Sequence, residues 1–343
     1  MSPSQTGAPA RAAYAPTRLF LTGGGGYVGR NLIRHFTARG VDVVALARSD
    51  TAAEMVRSLG ARVVRGALLD ANLTEAMAGC DALVHAAADL DHGHGGARQA
   101  RTNVEGTRSL LQAAKTAGVA RAVHLSTESV LLDGRPLRDA DEEHPFPRHP
   151  AGRYSATKGE AERLALAMTS SGFEVIAVRP RLVWGRDDTT AAPQLMAAVN
   201  SGQFAWIDGG GYRTSTTHIA NLCNGVDRAL AQGRGGQAYF ITDGESVVFR
   251  DFITALLSAH GVVAPDKTVP LALLRIIAAI GDSLARATGG AVHGPVSRQV
   301  LATSAVEVTL RIDKARRELG YRPTMSREAG LAEIRAARPI TRG

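Results

Sequence analysis

The segment RLFLTGGGGYVGRNLIRHFTARG, residues 18–40, decides the fold. It begins with a short apolar run that predicts a buried strand, and from residue 27 it has the periodicity of a helix that ends at a glycine. Between them lie Gly24, Gly26 and Gly29 in the spacing G-x-G-x-x-G, or Gly23, Gly26 and Gly29 in the spacing G-x-x-G-x-x-G. Either spacing lets the backbone approach a pyrophosphate at the helix N-terminus. The segment therefore predicts a dinucleotide-binding unit.

The same alternation continues along the chain. Further strands are predicted in VDVVALA, ARVVRGAL, DALVHAAA, ARAVHLST and FEVIAVRPRLV, and helices in LTEAMAGC, NVEGTRSLLQAAKTAG and the stretch after residue 152. Buried strands separated by helices predict an α/β protein with a doubly wound parallel sheet of the Rossmann type. In ALLD, Asp70 is expected to cap the next helix.

Three parts of the chain are expected. Residues 1–16 form a flexible leader, and residues 17–184 form the dinucleotide-binding domain with the catalytic helix. Residues 185–343 form mainly a smaller substrate-binding subdomain, from which segments such as AYFITDG can return to the sheet. The apolar stretch VPLALLRIIAAIG, residues 269–281, predicts a core or substrate-covering helix, and the tail DKARRELGYRPTMSREAGLAEI predicts two helices joined by a proline-containing turn.

Composition excludes several classes of protein. The chain has 343 residues, 45% of them hydrophobic and 21% charged, as is typical of a soluble globular protein. Its formal charge of +8 comes from scattered arginines without a basic run or interleaved aromatics, so we expect no nucleic-acid partner. Residues 269–281 are too short to span a membrane, and the N-terminus lacks an apolar signal region. Cys80 and Cys223 are too few for a disulfide framework, which favours a cytoplasmic location.

Tyr154 and Lys158, in RYSATKGEAERL, are the candidate chemical pair. Four-residue spacing brings both side chains to one face of a helix, where an ammonium would lower the phenol pKa toward neutrality. Such a tyrosine can exchange a proton with a ketone or an alcohol. The alternative is a solvated helix with a surface lysine. Lys158 is one of only four lysines in the chain, which argues against a lysine placed there only as a surface residue.

These motifs resemble the extended short-chain dehydrogenases/reductases of the NAD-dependent epimerase/dehydratase superfamily. The resemblance rests on Thr22 with the glycine spacing, VHAAA at 84–88, NVEGT at 103–107, HLSTESV at 124–130, YSATK at 154–158 and VRPRLVWG at 178–185. RPRLVWGRDDTTAAPQLM, TTHIANL and KARRELGYRP look most similar to the 3-beta-hydroxysteroid dehydrogenase-like branch, which also contains bacterial ketone reductases.

The resemblance implies a role for each matching position. Tyr154 would be the acid or base, and Lys158 would lower its pKa and bind the nicotinamide ribose. Thr127 would orient the substrate oxygen, with Ser126 as a neighbour and Ser129 as a less favoured candidate. Asn103 either holds the lysine through water or begins a helix.

The cofactor is expected to be NADP(H), with NAD(H) possible. An acid at the end of the second strand would select NAD, but Ala47 stands there, followed by Arg48, which can pair with a 2′-phosphate. Asp50 could restore NAD if the turn shifted. Ala67 replaces an acid that relatives use near adenine. The cofactor-binding residues implied are Thr22, Gly23, Gly25, Gly26, Tyr27, Val28, Gly29, Arg48, Ser49, Leu68, Ala86, Ala87, Ala88, Lys158 and Pro180.

The histidines raise the question of a metal. Asp89, Asp91, His92 and His94 could form a metal-binding loop, but without a defined ligand set a solvated loop is favoured and no metal is expected. His85 is also considered as a possible metal ligand. For His218 a structural role is expected.

The favoured function is an oxidoreductase that transfers a hydride between nicotinamide and a ketone or secondary alcohol. Its substrate would be moderately apolar: steroid-like, beta-keto acyl or aryl. The alternatives are a nucleotide-sugar epimerase or dehydratase with bound NAD, for which Glu128 is the only extra acid candidate, and a non-catalytic dinucleotide-binding regulatory protein. A homodimer is expected from the resemblance alone.

Overall fold

A computed structural model describes residues 14–70, 72–90, 96–287 and 297–338. Most of the leader expected at residues 1–16 therefore lies outside the described residues. Tyr14 is described and is held in place: its N–H donates to Ala231 O at 3.0 Å, and its hydroxyl donates to Asp81 O at 2.7 Å.

The strands in the described part of the chain are β1 Arg18–Thr22, β2 Asp42–Ala47, β3 Arg62–Arg65, β4 Ala82–His85, β5 Arg121–Leu125, β6 Leu137–Ala140, β7 Glu174–Pro180, β8 Val183–Trp184, β9 Trp206–Ile207, β10 Arg213–Thr214, β11 Thr217–His218, β12 Ala238–Ile241, β13 Val247–Val248, β14 Thr268–Val269 and β15 Val308–Leu310.

The helices there are α1 Tyr27–Thr37, α2 Asp50–Ser58, α3 Leu73–Ala76, α4 Gly96–Ala100, α5 Gly106–Thr116, α6 Arg153–Ala167, α7 Ala191–Asn200, α8 Ile219–Gln232, α9 Phe249–Ala259, α10 Leu271–Ala287, α11 Arg298–Ser304, α12 Asp313–Leu319 and α13 Arg327–Ala336. A π-helical turn, Arg101–Glu105, joins α4 to α5 without a break, and Glu128–Leu131 form a 3-10 turn after β5.

The main sheet has the strand order β12-β7-β5-β4-β1-β2-β3, and all its neighbours pair in parallel. The predicted doubly wound parallel sheet is confirmed. Strand order reverses between β1 and β4, and crevices outside the carboxyl ends of strands at such a point bind ligands in folds of this kind. The glycine turn after β1 and the HAAA segment after β4 meet there.

Burial explains why the central strands are nearly continuous apolar runs. Helices cover both faces of the sheet, so residues on both sides of each strand pack into cores. One core includes Leu19, Leu21 and Val84, and the opposite one includes Phe20 and Leu83. Alternate residues of the same strand thus lie in different cores.

The second half of the chain is interleaved with the first. β12, within the AYFITDG segment, returns to the main sheet beside β7. In the other direction, β6 leaves the first half and pairs with β15 in a small sheet ordered β13-β10-β15-β6. A third apolar core around Trp184, Trp206 and Phe252 fills the second half. The domain boundary at residue 184 stays a prediction.

Several local features differ from the sequence expectations. Asp70 does not cap the next helix, because its carboxylate accepts a hydrogen bond from Ala67 N at 2.6 Å and α3 begins only at Leu73. The two tail helices are confirmed as α12 and α13, with Gly320 in a left-handed conformation after α12. No helix in the described ranges is both long enough and apolar enough to cross a membrane.

Candidate active site

The glycine turn between β1 and α1 has no room for side chains. Gly23 has φ +76°, and a Cβ there would lie 2.8 Å from the Ala86 backbone. A Cβ at Gly29 would overlap Gly23 O, and one at Gly25 would lie 2.9 Å from Ala52 Cβ. Gly26 N donates to Gly23 O at 2.9 Å, which closes the turn. Bare backbone at a helix N-terminus suits a dinucleotide pyrophosphate, so these residues fit the implied cofactor.

Tyr27 and Val28 begin α1 but direct their side chains into the protein. Tyr27 is 4% exposed, and Val28 packs against the core of Leu19 and Leu21. Burial raises the pKa of Tyr27. Among the described residues, the α1 N-terminus receives no side-chain cap. Any contact that these two residues make with a phosphate would therefore come from their backbone N–H groups.

A directed chain of hydrogen bonds connects the end of β1 to the helix after β4. Ala87 N donates to Thr22 Oγ1 at 3.2 Å, and Thr22 Oγ1 lies 2.7 Å from His85 Nδ1. His85 Nε2 lies 2.9 Å from Thr107 Oγ1, which donates onward to Asn103 O at 2.6 Å. Because Thr107 donates to Asn103, it accepts from His85 Nε2–H. Burial first and Lys158 second lower the pKa of His85 to about 3, so the ring is neutral.

Asn103 lies within the π-helical turn, in the middle of a continuous helical run from 96 to 116. The helix-start alternative for this residue is therefore wrong. Its side chain accepts from Asp89 N at 2.7 Å and donates to Asp89 O and to Thr157 Oγ1, both at 3.2 Å. Asn103 thereby connects the chain after β4 to α6 at the residue before Lys158. A role in holding the lysine through water stays a prediction.

Tyr154 and Lys158 share the buried face of α6. They are 8% and 3% exposed, so the solvated-helix alternative is wrong. Lys158 Nζ donates to Leu125 O at 2.8 Å, at the carboxyl end of β5. Burial lowers the pKa of Lys158 to about 8, and the neighbouring Glu162 carboxylate opposes that shift. The four-residue spacing thus places both groups beside the end of a central strand.

The pKa of Tyr154 is raised, not lowered. Burial is the largest cause and the Glu128 carboxylate the second, while a hydrogen bond with Thr127 acts in the opposite direction. The lowering of this pKa by Lys158, which the resemblance implies, stays a prediction. The phenol is therefore held in its protonated form, the form that can donate a proton.

Three hydroxyls follow β5, and their partners distinguish them. Thr127 Oγ1 accepts from Ser129 N at 3.1 Å and donates to Glu128 Oε2 at 2.8 Å, and it lies close enough to Tyr154 to lower the pKa of that phenol. Within the described ranges, Ser126 Oγ is buried without a hydrogen-bond partner. Ser129 Oγ lies 2.6 Å from Ser155 Oγ. This proximity to Tyr154 favours Thr127 over the other two as the orienting hydroxyl.

Gln299, in α11, completes this end of the site, and its role was not predicted from the sequence. Its amide nitrogen donates to Ser129 Oγ at 3.0 Å and to Ser155 Oγ at 2.9 Å. Its amide oxygen accepts from Ser155 N at 3.2 Å, and a Cβ at Gly152 would lie 2.6 Å from that oxygen. Nothing in the local pattern around Gln299 indicates a contact with residues 144 and 170 positions earlier.

Arg181 is the second missed residue. It is 3% exposed, and its Nη1 donates to Glu128 Oε1 at 2.6 Å. Its Nε donates to Thr214 Oγ1 at 2.9 Å, and its Nη2 donates to Thr303 O at 3.0 Å. The RPR motif does not indicate which carboxylate Arg181 binds, because Glu128 lies 53 positions earlier in the chain.

The residues predicted to contact the adenosine end lie at the ends of β2 and β3. Arg48 and Ser49 are exposed directly after β2, and Ser49 Oγ accepts from Ala52 N to cap α2. The Asp50 carboxylate is 93% exposed and lies 3.1 Å from Arg65 Nη2. Leu68 is 8% exposed, and Pro180 is buried at the end of β7.

His218 has structural contacts. Its Nδ1 accepts from Ala220 N at 3.2 Å, which caps α8, and its ring packs edge-on against Trp184. His92, His94 and Asp91 lie outside the described residues. Across the described part of the chain, no group of three or more His, Cys, Asp or Glu side chains is arranged to hold a metal ion.

Comparison with known proteins identifies the family. Residues 19–242 match the model of the NAD dependent epimerase/dehydratase family. The chain is 46% identical over 327 residues to a 4-hydroxy-2-methyl-3-oxo-4-farnesyl-3,4-dihydroquinoline-1-oxide ketoreductase of Stigmatella aurantiaca, covering 95% of this chain and 98% of that protein. It is 31% identical to a decarboxylating sterol-4-alpha-carboxylate 3-dehydrogenase of Dictyostelium discoideum, covering 92% and 99% of the two chains.

Solved structures show the same fold. The crystal structure of gox2253 superposes with a TM-score of 0.74 at 29% identity, covering 93% of this chain and 98% of that one. The dTDP-glucose 4,6-dehydratase DesIV of Streptomyces venezuelae, solved with NAD, gives a TM-score of 0.71 at 26% identity, covering 93% and 96% of the two chains. The reductase and dehydrogenase relatives confirm the predicted NAD(P)-dependent oxidoreductase and do not favour the two alternatives. The chain belongs to the NAD dependent epimerase/dehydratase family, as its motifs implied.

Proposed function

We propose that this protein reduces a ketone on a moderately apolar substrate with NADPH, using Tyr154 as the proton donor. The observation that carries the proposal is that Tyr154 and Lys158 are buried on one face of α6, with the lysine bound to the end of β5 and Thr127 near the phenol. These groups lie at the carboxyl end of β5, and β4 alone separates β5 from β1, the strand that leads into the glycine turn.

The chemistry follows from this placement. The glycine turn after β1 would hold a nicotinamide dinucleotide, which would supply the hydride for the carbonyl carbon. As that carbon is reduced, its oxygen takes the proton of the Tyr154 hydroxyl, and the Thr127 hydroxyl would turn from Glu128 Oε2 to donate to the same oxygen. Lys158, with its ammonium fixed at Leu125 O, provides positive charge near the phenolate that forms. The proposed site residues are thus Thr127, Tyr154 and Lys158, with Asn103 supporting α6 through Thr157.

Three observations support NADPH over NADH. Ala47 at the end of β2 is buried and has no carboxylate to bind a ribose. Arg48, the next residue, is exposed and can reach a 2′-phosphate. Asp50, the residue that could restore NAD binding, is directed to solvent and paired with Arg65. We propose Arg48 and Ser49 as the contacts of that phosphate.

The position of Glu128 argues against a dehydratase. A lyase needs a carboxyl group that can exchange protons with its substrate. Both oxygens of Glu128 are occupied, one by Arg181 Nη1 at 2.6 Å and the other by the Thr127 hydroxyl at 2.8 Å. A carboxylate so engaged is poorly suited to act as a free acid or base.

The substrate class is proposed from relatives. A 2-alkyl-3-oxoalkanoate reductase of Stenotrophomonas maltophilia is 31% identical over 328 residues, and the 46% identical relative acts, by its name, on a farnesylated ketone. In this chain, α10 exposes Leu273, Ile276 and Ile280. We propose that the substrate is a ketone with an apolar portion. We also propose that the protein is cytoplasmic and forms a homodimer.

A substrate panel tests the function. Steroid, beta-keto acyl and aryl ketones would be incubated with NADPH and, separately, with NADH, and nicotinamide oxidation would be followed. We expect turnover of at least one class and a higher kcat/KM with NADPH. Tight retention of NAD through purification, together with no turnover of any ketone, would contradict the proposal and favour the epimerase or dehydratase alternative.

A further inference from the structure

One amide side chain joins the two segments that carry the proposed proton donor and its neighbouring hydroxyl. Tyr154 lies in the first turn of α6, and Thr127 directly precedes the 3-10 turn after β5. The Gln299 amide nitrogen donates to Ser155 Oγ at 2.9 Å and to Ser129 Oγ at 3.0 Å. Ser155 is the residue after Tyr154. Ser129 lies two positions after Thr127, and the two serine oxygens are 2.6 Å apart. The amide therefore binds both segments at once.

Gln299 also caps the N-terminus of α6. The first N–H groups of a helix have no carbonyl partner within the helix, so another group must accept from them. A Ser, Thr, Asp or Asn side chain usually does so from the residue before the helix, but Gly152 stands there. Gln299 Oε1 accepts from Ser155 N at 3.2 Å instead. The turn that includes Tyr154 is thus capped by a residue from α11.

The glycine at position 152 is matched to this cap. Gly152 has φ −170° and ψ −176°, an extended conformation that any residue adopts, so its backbone does not require glycine. A Cβ there would lie 2.6 Å from Gln299 Oε1 and 2.8 Å from Gln299 Cβ. The three nearest atoms outside the neighbouring residues all belong to Gln299. Glycine is therefore needed at this position to leave room for the amide.

Other contacts hold α11 in place. Thr303 O accepts from Arg181 Nη2 at 3.0 Å, and Ser304 O accepts from the Tyr212 hydroxyl. Gln299 itself is 2% exposed, so water does not compete for its hydrogen bonds. A buried polar cluster whose members bind one another is rigid and specifies one arrangement. The amide consequently has a fixed position from which it can hold both segments.

We propose that Gln299 is a positioning residue, whose amide fixes the Tyr154 phenol relative to the Thr127 hydroxyl. This inference rests on the proposed function, in which both groups must reach one ketone oxygen. A displacement of about 1 Å at a reacting group can cost about 100-fold in rate. Because the amide binds the segments that carry these groups, it acts through their backbones and not on the ketone itself.

Hydrogen exchange tests the cap without turnover. Gln299→Met keeps the length of the side chain and removes its polar atoms, so amide exchange in peptides that span the first turn of α6 should become about fivefold faster or more. Ser326→Ala is the matched control, because Ser326 Oγ caps α13 by accepting from Ala329 N at 3.1 Å. That variant should speed exchange in α13 and leave α6 unchanged. Equal exchange of α6 in the wild type and in Gln299→Met would overturn the proposal.

Ketone turnover tests the consequence for the phenol. Gln299→Met should lower kcat about tenfold or more and leave the KM for NADPH unchanged. Ser326→Ala should keep the wild-type kcat at a temperature where both variants are folded. A merely structural role would lower the unfolding temperature of both variants and the kcat of neither. A changed KM for the ketone with an unchanged kcat would place Gln299 in substrate binding and overturn the positioning role.

A second pair of variants supplies the cap from another residue. Gln299→Gly leaves room for a side chain at position 152, and Gln299→Gly/Gly152→Ser adds a hydroxyl that can accept from the first turn of α6. Both variants carry the same glycine in α11, so their difference reports the cap alone. The double variant should show slower exchange in α6 and recover part of the lost kcat. The same comparison decides the matter if Gln299→Met does not fold.

Two further outcomes separate this inference from the proposed function. Slower exchange in the double variant without any recovery of kcat would disconnect the cap from the Tyr154 phenol and overturn the inference. A wild-type protein that turns over no ketone would refute the proposed function. In that case the exchange of α6 in Gln299→Met still decides the cap, which faster exchange supports and unchanged exchange overturns.

Discussion

Lys158 Nζ donates to Leu125 O at 2.8 Å, and this bond joins α6 to the end of β5. The lysine is 3% exposed, and burial lowers its pKa to about 8. Folding therefore disfavours the charged ammonium. The group that the mechanism places near a developing phenolate is thus held at a cost to stability, as is common at functional sites.

This cost predicts a pH dependence of stability. Between about pH 8 and about pH 10.5 the unfolded lysine still binds a proton that the folded lysine has released, so the free energy of unfolding should rise with pH across this window, by up to about 3 kcal/mol. Denaturant unfolding of the wild type and of Lys158→Met at several pH values measures it. The difference between the two proteins should change across the window, and a constant difference would contradict the lowered pKa.

Replacing Tyr154 tests the proton donor. Tyr154→Phe removes the hydroxyl and keeps the buried ring, so we expect ketone reduction to fall by a factor of about 100 to 10,000, the usual contribution of an acid or base group. NADPH binding, measured by fluorescence titration, should remain close to that of the wild type. Reduction at the wild-type rate would remove Tyr154 from the mechanism.

Replacing Arg48 tests whether the protein prefers NADPH to NADH. Arg48→Ala removes the exposed guanidinium after β2, so we expect the KM for NADPH to rise about tenfold, or about 1.4 kcal/mol, and the KM for NADH to change little. Arg57, on the surface of α2, provides a control, since Arg57→Ala removes a nearby charge away from the strand end. Equal changes for both cofactors in Arg48→Ala would contradict a phosphate contact.

The glycine turn can be tested by adding one methyl group. A Cβ at Gly29 would overlap the carbonyl oxygen of Gly23, so Gly29→Ala must displace the turn. We expect a loss of about 1–3 kcal/mol in stability, as for other overpacked sites, and at least tenfold weaker dinucleotide binding. Gly211→Ala is the control, because a Cβ there meets no atom within 4 Å among the described residues. Wild-type affinity in Gly29→Ala would show that the turn does not bind the cofactor.

Short-range patterns predicted the architecture well. Apolar runs gave β1, β2, β4, β5 and β7, since a strand buried on both faces must be apolar throughout. The spacing of Tyr154 and Lys158 indicated one helix face because helical geometry is local. The π-helical turn at Asn103 was not predicted, since its residues have no distinctive pattern.

Long-range contacts could not be predicted from short-range sequence patterns. The pairing of Glu128 with Arg181 and the contacts of Gln299 join segments that are 53 to 170 positions apart. The raised pKa of Tyr154 also follows from packing, because burial is the largest cause of the shift. Each of these features depends on which distant segments pack around the residue.

The contacts of Gln299 also set an order for protein synthesis. Tyr154 leaves the ribosome well before α11 is made, so a nascent chain can form most of the main sheet while Ser129 and Ser155 still lack the amide that will bind them both. β12 has to arrive before the sheet gains its last strand. The docking of α11 on these two serines therefore waits for nearly the whole polypeptide, while most strands of the main sheet are synthesised earlier.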